Sequence, residues 1–257
     1  EENENCMEFI DLFAGIGGFR LGLEKNGLEC VFSADFDDKA CETYSLNFGE
    51  HKPIDITQLN ARTIPKHDIL CGGFPCQPFS IAGFRRGFED VRGTLFFDIF
   101  RILQEKKPEV FILENVRGLI NHDGGQTFQT MINYLAKTVN YEKNVSKFSE
   151  NLGYNVHWKV LNASDFGVPQ NRERVFIVGF RSNVKEFEFP TKLSSQKTLI
   201  QILDRSPIRK EISQQSKEYI QHYLAQHPMN QELRSLEYLV AYEIRKSRVN
   251  FRFDNLS

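Results

Sequence analysis

The run GGFPCQPFS, residues Gly72 to Ser80, holds a cysteine between prolines: Pro75 precedes Cys76, and Gln77–Pro78 follow it. A cysteine is most often a small buried hydrophobe. This segment is too stiff and polar for core packing, and its prolines fix the chain direction on both sides, as a nucleophile held at near-attack distance requires. Cys71 lacks that setting and reads as a strand residue. Further on, Glu114–Asn115–Val116 ends an apolar run. A carboxylate delivered there, beside Cys76, suits an acid working with a nucleophile, whereas without Cys76 it would read as a capping or surface glutamate. The stretch PQNRER carries Arg172 and Arg174. Residues two apart in an extended segment point the same way, so the two guanidiniums suit a phosphate or a carbonyl oxygen. Taken alone, such a pair is a solvated strand end.

A second group sits near the N-terminus. DLFAGIGGF places Gly15, Gly17 and Gly18 at a strand-to-helix turn, where missing side chains let backbone approach a ligand. A dinucleotide fingerprint wants a third glycine where Arg20 stands, so the turn reads as nucleoside-binding rather than NAD-binding. Asp35 follows twenty positions after Gly15, where its carboxylate can accept from two ribose hydroxyls, and Phe36 offers a flat wall to a purine. Asp55 and Ile56 read equally well as adenine contacts or as a turn acid and a core aliphatic.

The elements that must carry these groups alternate. Short runs rich in Val, Ile and Phe alternate with amphipathic stretches, the pattern of a parallel sheet with helices on its faces. Strands are expected at Glu8–Ala14, Cys30–Phe36, Ile54–Thr57, Asp68–Phe74, Glu109–Val116, Tyr154–Asn162 and Arg174–Arg181. Helices are expected at Gly18–Asn26, Asp38–Phe48, Thr94–Lys106 and Gln126–Lys137. The fold class is therefore a doubly wound, mostly parallel α/β sheet of seven strands. Its last two strands lack a helix between them and are expected as antiparallel neighbours at a sheet edge. Thr138–Phe148 reads as a solvated insertion. The division is a catalytic and cofactor-binding domain over 1–190 and a mainly helical tail over 191–257. In that tail Leu233, Leu236, Val240 and Ile244 form a stripe at helical spacing, suited to packing on the domain itself or on a partner.

Composition bounds the rest. The 257 residues, 40% hydrophobic and 26% charged, exclude a collagen-like or wholly disordered chain. No apolar run approaches the roughly 18 residues of a spanning helix, and the acidic EENEN is unlike a secretory signal. Five cysteines without a CxxC pair indicate neither a disulfide framework nor a metal site, and fit a reducing cytoplasm. The net charge of −2 divides into +4 from Thr191 onward and −6 before it, so a basic edge for nucleic acid is not excluded.

FAGIGG, Asp35–Phe36, GGFPCQPFS, ENV and QNRER, in this order and spacing, resemble the cytosine-5 methyltransferases of DNA from bacterial restriction-modification systems, over about Phe9 to Phe189. The resemblance implies an S-adenosylmethionine-dependent methyltransferase sheet. It implies that Phe13, Gly15, Gly17, Asp35, Phe36, Asp55, Ile56 and Pro75 contact the cofactor. Cys76 would add as thiolate to carbon 6 of a cytosine flipped out of duplex DNA. Glu114 would hold ring nitrogen 3 and the exocyclic amine, and Arg174, beside Arg172, the carbonyl oxygen. Ser80, Arg85, Arg86 and Arg92 fall in or beside a stretch, Gly87 to Ile99, that resembles the family's mobile loop, and would meet nucleic acid. The family's target-recognition region and last Gly-Asn-Ser-Val motif do not occur. That points to a fragment, or to the first chain of a split enzyme completed by a second polypeptide, working in a bacterial cytoplasm at the nucleoid. A non-catalytic DNA-binding or regulatory relative would have no need of an intact Cys76 and Glu114. An RNA cytosine methyltransferase is the third reading, and GFPCQPFS favours DNA over it.

Overall fold

The computed structural model describes residues 6–75, 95–144, 151–182, 186–194, 214, 218, 242–245 and 248–251. The chain divides into two compact units, one of Glu1–Asn162 with Arg172–Lys192, the other of Ala163–Asn171 with Leu193–Ser257.

The first unit is built on an eight-stranded sheet. Its strands are β1 (Glu8–Leu12), β2 (Glu29–Ala34), β3 (Ile69–Gly72), β4 (Val110–Val116), β5 (Ala136–Val139), β6 (Glu142–Lys143), β7 (Tyr154–Asn162) and β8 (Glu173–Phe180), in spatial order β2-β1-β3-β4-β8-β7-β5-β6. Its helices are α1 (Gly18–Glu24), α2 (Asp38–Phe48), α3 (Leu95–Lys106) and α4 (Gln126–Leu135). β2, β1, β3 and β4 pair in parallel. Their centres are near-continuous apolar runs because both faces are covered: Phe9, Ile10, Leu12, Leu70, Phe111 and Leu113 are all fully buried. Truncating one of these to alanine would cost about 2–5 kcal/mol of stability.

Four expectations about this sheet need correcting. Ile54–Thr57 is not a strand: Asp55 accepts the Thr57 N–H at 2.9 Å and caps a 3-10 turn over Ile56–Gln58. A side chain that bonds its own backbone in this way competes with the ladder. The sheet gains β5 and β6 instead, so it has eight strands, not seven. Thr138–Phe148 is solvated where described beyond Val139, but it opens with strand residues: Thr138 and Val139 pair with Lys143 and Glu142, while residues 145–150 lie outside the described set. β7 and β8 are antiparallel as expected, yet they do not lie at an edge, because β8 also pairs antiparallel with β4 and β7 pairs in parallel with β5.

The β4–β8 register matters for the site. Phe111 stands opposite Gly179, and a Cβ at Gly179 would collide with the Phe111 ring. The glycine admits the ring and so favours the pairing that sets Val116 against Arg174.

In the second unit, Tyr242–Arg245 (β9) and Arg248–Phe251 (β10) form an antiparallel pair. Ile244 is therefore a strand residue and does not extend a helical stripe, as the alternation of Tyr and Ile with charged residues permits. Leu233, Leu236 and Val240 lie outside the described residues. Among the described residues no helix is long and apolar enough to cross a membrane.

Candidate active site

The carboxyl ends of β1, β2, β3 and β4 open on the same edge, where parallel α/β sheets place their reactive groups. At the end of β3 the chain leaves through Gly73, Phe74 and Pro75. Cys76 follows directly and lies outside the described residues, as do Ser80, Arg85, Arg86 and Arg92. What fixes the start of that segment is visible. Phe74 is buried at 4% exposure, and its carbonyl accepts from Asn115 Nδ2 at 2.9 Å. Asn115 Oδ1 in turn accepts the Val116 N–H at 2.8 Å. Asn115, 2% exposed, thus ties the exit of β3 to the end of β4. Its role was readable only as part of the ENV motif, since nothing local in the sequence says which backbone group an amide will reach.

Glu114 lies on that junction. A Cβ placed on Gly73 would stand 3.5 Å from Glu114 Oε2, so the carboxylate reaches the backbone three residues before Cys76. Arg174 Nε stands 2.8 Å from Glu114 Oε1, and Arg172 Nη2 stands 3.8 Å from the same oxygen. Both guanidiniums reach the same oxygen, Arg174 from the diagonal position of the antiparallel pair and Arg172 from two residues further along, just before β8. The geometry brings together a strand-end carboxylate, two arginines and the entrance to the Pro75–Cys76 segment. Such a set can hold a polar, partly anionic ring edge. Arg117 adds a two-oxygen clamp on Glu173, at 2.8 and 2.7 Å, which secures the start of β8 between the two arginines.

The glycine turn follows β1. Phe13 has φ 57°, uncommon for a non-glycine residue, and Gly15 and Gly17 also have positive φ. A side chain at Gly17 would run into the Phe48 ring, whereas one at Gly15 would meet nothing within 4 Å, so the turn packs on α2 at one glycine and faces open space at the other. Asp35 closes the turn: its Oδ2 accepts the Gly15 N–H at 2.8 Å and its Oδ1 the Asp37 N–H at 2.9 Å. Phe36 is 65% exposed beside it. Asp55 is exposed, and Ile56 is buried at 4% in the core. Arg20, the residue that spoils the dinucleotide fingerprint, donates to Tyr44 Oη at 3.1 Å and stacks 4.8 Å from the Phe48 ring centre. Its place is taken up by helix packing.

Sequence reasoning passed over Asp11. This β1 residue is fully buried, and neither carboxylate oxygen reaches a protein partner at full hydrogen-bonding geometry. Burial pushes its carboxyl up to about 7, with the Arg20 backbone N–H opposing and the charge of Asp35 adding. A group whose folded pKa lies above its unfolded value keeps its proton longer in the folded state, so it costs stability as pH rises from about 4 to about 7. Asp11→Asn is expected to remove that slope and to be more stable than the wild type at pH 8, by up to about 4 kcal/mol at 1.4 kcal/mol per unit. Urea unfolding of both proteins at pH 5 and pH 8 checks this, and equal pH slopes would contradict it.

These features agree with what the chain resembles. The family model of the C-5 cytosine-specific DNA methylases matches residues 7–252, past Phe189 and into the tail. The type II methyltransferase M.HhaI of Haemophilus parahaemolyticus is 53% identical over 186 residues, covering 72% of this chain and 53% of its own. M.HpaII of Haemophilus parainfluenzae is 47% identical over 216 residues, covering 81% and 57%. The solved methyltransferase EhMeth of Entamoeba histolytica superposes with a TM-score of 0.58 at 18% identity, over 79% of this chain and 62% of that one, a likeness of fold. The chain spans about half the length of the curated relatives it matches. A family match over nearly the whole chain, a relative identical at more than half of the aligned positions, and a sheet edge that gathers Glu114, Arg172 and Arg174 at the entrance to Pro75–Cys76 have one meaning: the chain belongs to the C-5 cytosine-specific DNA methylases.

Proposed function

We propose that this chain is the catalytic and cofactor-binding part of an enzyme that methylates carbon 5 of a cytosine flipped out of duplex DNA, in a restriction-modification setting. The observation that carries the proposal is the contact of Glu114 with Arg174 directly over Gly73, three residues before Cys76. Cytosine carbon 5 is a poor nucleophile. Addition of the Cys76 thiolate at carbon 6 makes the ring an enamine, reactive at carbon 5. Glu114 relieves the charge this puts on the ring by holding or protonating nitrogen 3 and accepting from the exocyclic amine, while Arg174 holds the carbonyl oxygen. A base then removes the carbon 5 proton and the thiolate leaves. The target atoms are out of reach inside a duplex, so the base must be extruded at a cost of a few kcal/mol in unstacking. Ser80, Arg85, Arg86 and Arg92 are proposed to hold the opened strand.

S-adenosylmethionine fits the turn beside β1, because Gly15 faces open space, Asp35 keeps lone pairs for ribose hydroxyls, and Phe36 presents an exposed ring. When bound, it supplies the methyl group as an electrophile. Phe13, Gly15, Gly17, Asp35, Phe36, Asp55, Ile56 and Pro75 are proposed to surround it. For Ile56 that means contact from a residue that is mostly core.

The proposed division is chemistry in residues 1–190 and, from 191 to 257, an approach to a recognition region supplied by a further segment or a second polypeptide. Radiolabelled methyl transfer to a duplex library and to transfer RNA, with the chain alone and with a protein bearing the Gly-Asn-Ser-Val-type motif, tests both parts. Transfer to duplex cytosine is expected to rise sharply on complementation. Transfer confined to RNA would overturn the substrate. Full-rate, sequence-specific turnover by the 257-residue chain alone would overturn the need for a partner.

A further inference from the structure

Arg101 lies on α3, yet its guanidinium is spent on the 3-10 turn after Asp55, more than forty residues earlier in the chain. Nη1 donates to the Leu59 carbonyl at 2.6 Å, Nη2 donates to the Ile56 carbonyl, and Nε donates to Asp98 Oδ1 at 2.9 Å. Asp98 is 8% exposed. A mostly buried carboxylate therefore balances a cation whose remaining arms grip two backbone oxygens. The planar fork is what makes this possible, since an ammonium is a point charge that does not span two carbonyls and a carboxylate in fixed directions.

The gripped turn leads onward. Ile56 opens the Asp55-capped turn, and two residues before it stands Ile54, whose N–H donates to the Asp35 carbonyl at 2.7 Å. Asp35 in turn receives the Gly15 N–H through Oδ2. A continuous series of contacts thus runs from α3 through the 54–59 segment and Asp35 to the glycine turn. No other side chain holds that segment to α3 with more than one hydrogen bond among the described residues.

We infer that Arg101 is a positioning residue of the cofactor site, which fixes the Ile54–Leu59 segment against α3 and, through it, the place of Asp35. The inference rests on the proposal that Asp35, Asp55 and Ile56 meet the cofactor. It locates the effect of Arg101 in cofactor affinity rather than in the chemistry at Cys76, because the groups its guanidinium bonds, the Asp98 carboxylate and the Ile56 and Leu59 carbonyls, belong neither to β4 nor to the exit of β3.

The test is Arg101→Lys, which keeps a cation beside Asp98 and removes the fork, with Asp35→Ala as reference. Calorimetric titration of the full protein, with its complementing chain, uses S-adenosylhomocysteine as probe. Arg101→Lys is expected to weaken binding about tenfold, the scale of a loosened supporting contact, and to raise KM for S-adenosylmethionine in parallel, with a smaller fall in kcat at saturating cofactor. If Asp35→Ala binds the probe as the wild type does, the cofactor site is misplaced and the inference falls with it. If Asp35→Ala loses the probe while folded Arg101→Lys keeps wild-type affinity, the site stands and the role of Arg101 is overturned. Should Arg101→Lys fail to fold, hydrogen exchange on the wild type decides: the probe is expected to slow the Gln58 and Leu59 amides, and unchanged exchange there overturns the inference.

Discussion

Cys76→Ser is expected to stop methyl transfer, with a loss of at least about a thousandfold in rate, while leaving S-adenosylhomocysteine binding near the wild-type level. A thiol ionises readily enough to supply a thiolate near neutral pH, and sulfur attacks an electron-poor ring carbon well; a serine hydroxyl does neither. The described residues before it are untouched by the change, since Phe74 is buried and its carbonyl is held by Asn115. The glycine turn proposed for the cofactor lies after β1 and does not depend on the sulfur. A trap makes the test specific. DNA with 5-fluorocytosine at the target lets the thiolate add and the methyl group arrive, after which fluorine cannot leave as the proton does, so a covalent protein–DNA adduct accumulates. The wild type, completed by any partner it needs, should give the adduct, and Cys76→Ser should not. An adduct of undiminished yield in the serine variant would mean that another residue is the nucleophile.

The second large effect is expected at Glu114. Glu114→Gln keeps the size of the side chain and removes its proton chemistry and its charge, so turnover should fall by about a hundred- to a thousandfold, the range typical of a lost general acid or base. The substitution also leaves Arg174 and Arg172 without the carboxylate they now share. Two effects are therefore mixed in one variant, and a double-mutant cycle with Arg174→Gln separates them: if the two groups act as a unit on the ring, the double variant loses little more than Glu114→Gln alone. Cofactor binding is the internal control, because the ion pairs and hydrogen bonds of both side chains among the described residues stay within β4 and the 172–174 stretch. Turnover within threefold of wild type in a folded Glu114→Gln protein would remove the carboxylate from the mechanism.

The parallel half of the sheet was legible because buried parallel strands are written as near-continuous apolar runs, and Ile69–Cys71, Phe111–Leu113 and Phe9–Leu12, the last broken only by Asp11, are such runs. The 54–57 segment misled for a local reason: two isoleucines and a threonine look like a strand, but an aspartate among them finds its own backbone first. The order of β8 and β7 within the sheet was not legible, since adjacency between distant strands is decided by which edges remain after the parallel core has formed. The pairing of Arg172 and Arg174 on one face followed from their spacing. That they would meet Glu114 needed the β4–β8 register. Arg101 left a weak trace, a charge pair at Asp98 and Arg101 on a helix whose inner face is otherwise apolar, but the carbonyls it holds carry no sequence signature.

The antiparallel insertion of β8 beside β4 also imposes a schedule. Glu114 and Arg174 are sixty residues apart in sequence, and they become neighbours only when the last strand of the sheet is in place. A chain still on the ribosome, with everything up to Asn162 made, already has the glycine turn, Asp35, the Cys76 segment and Glu114, but one edge of β4 is bare and the carboxylate has no arginine. Long-range pairings of this kind close late and slowly, and until then the exposed strand edge invites association with other chains. The arginines that meet Glu114 therefore arrive with the strand that seals the sheet, so a nascent or truncated protein lacks that contact for as long as it lacks a finished fold.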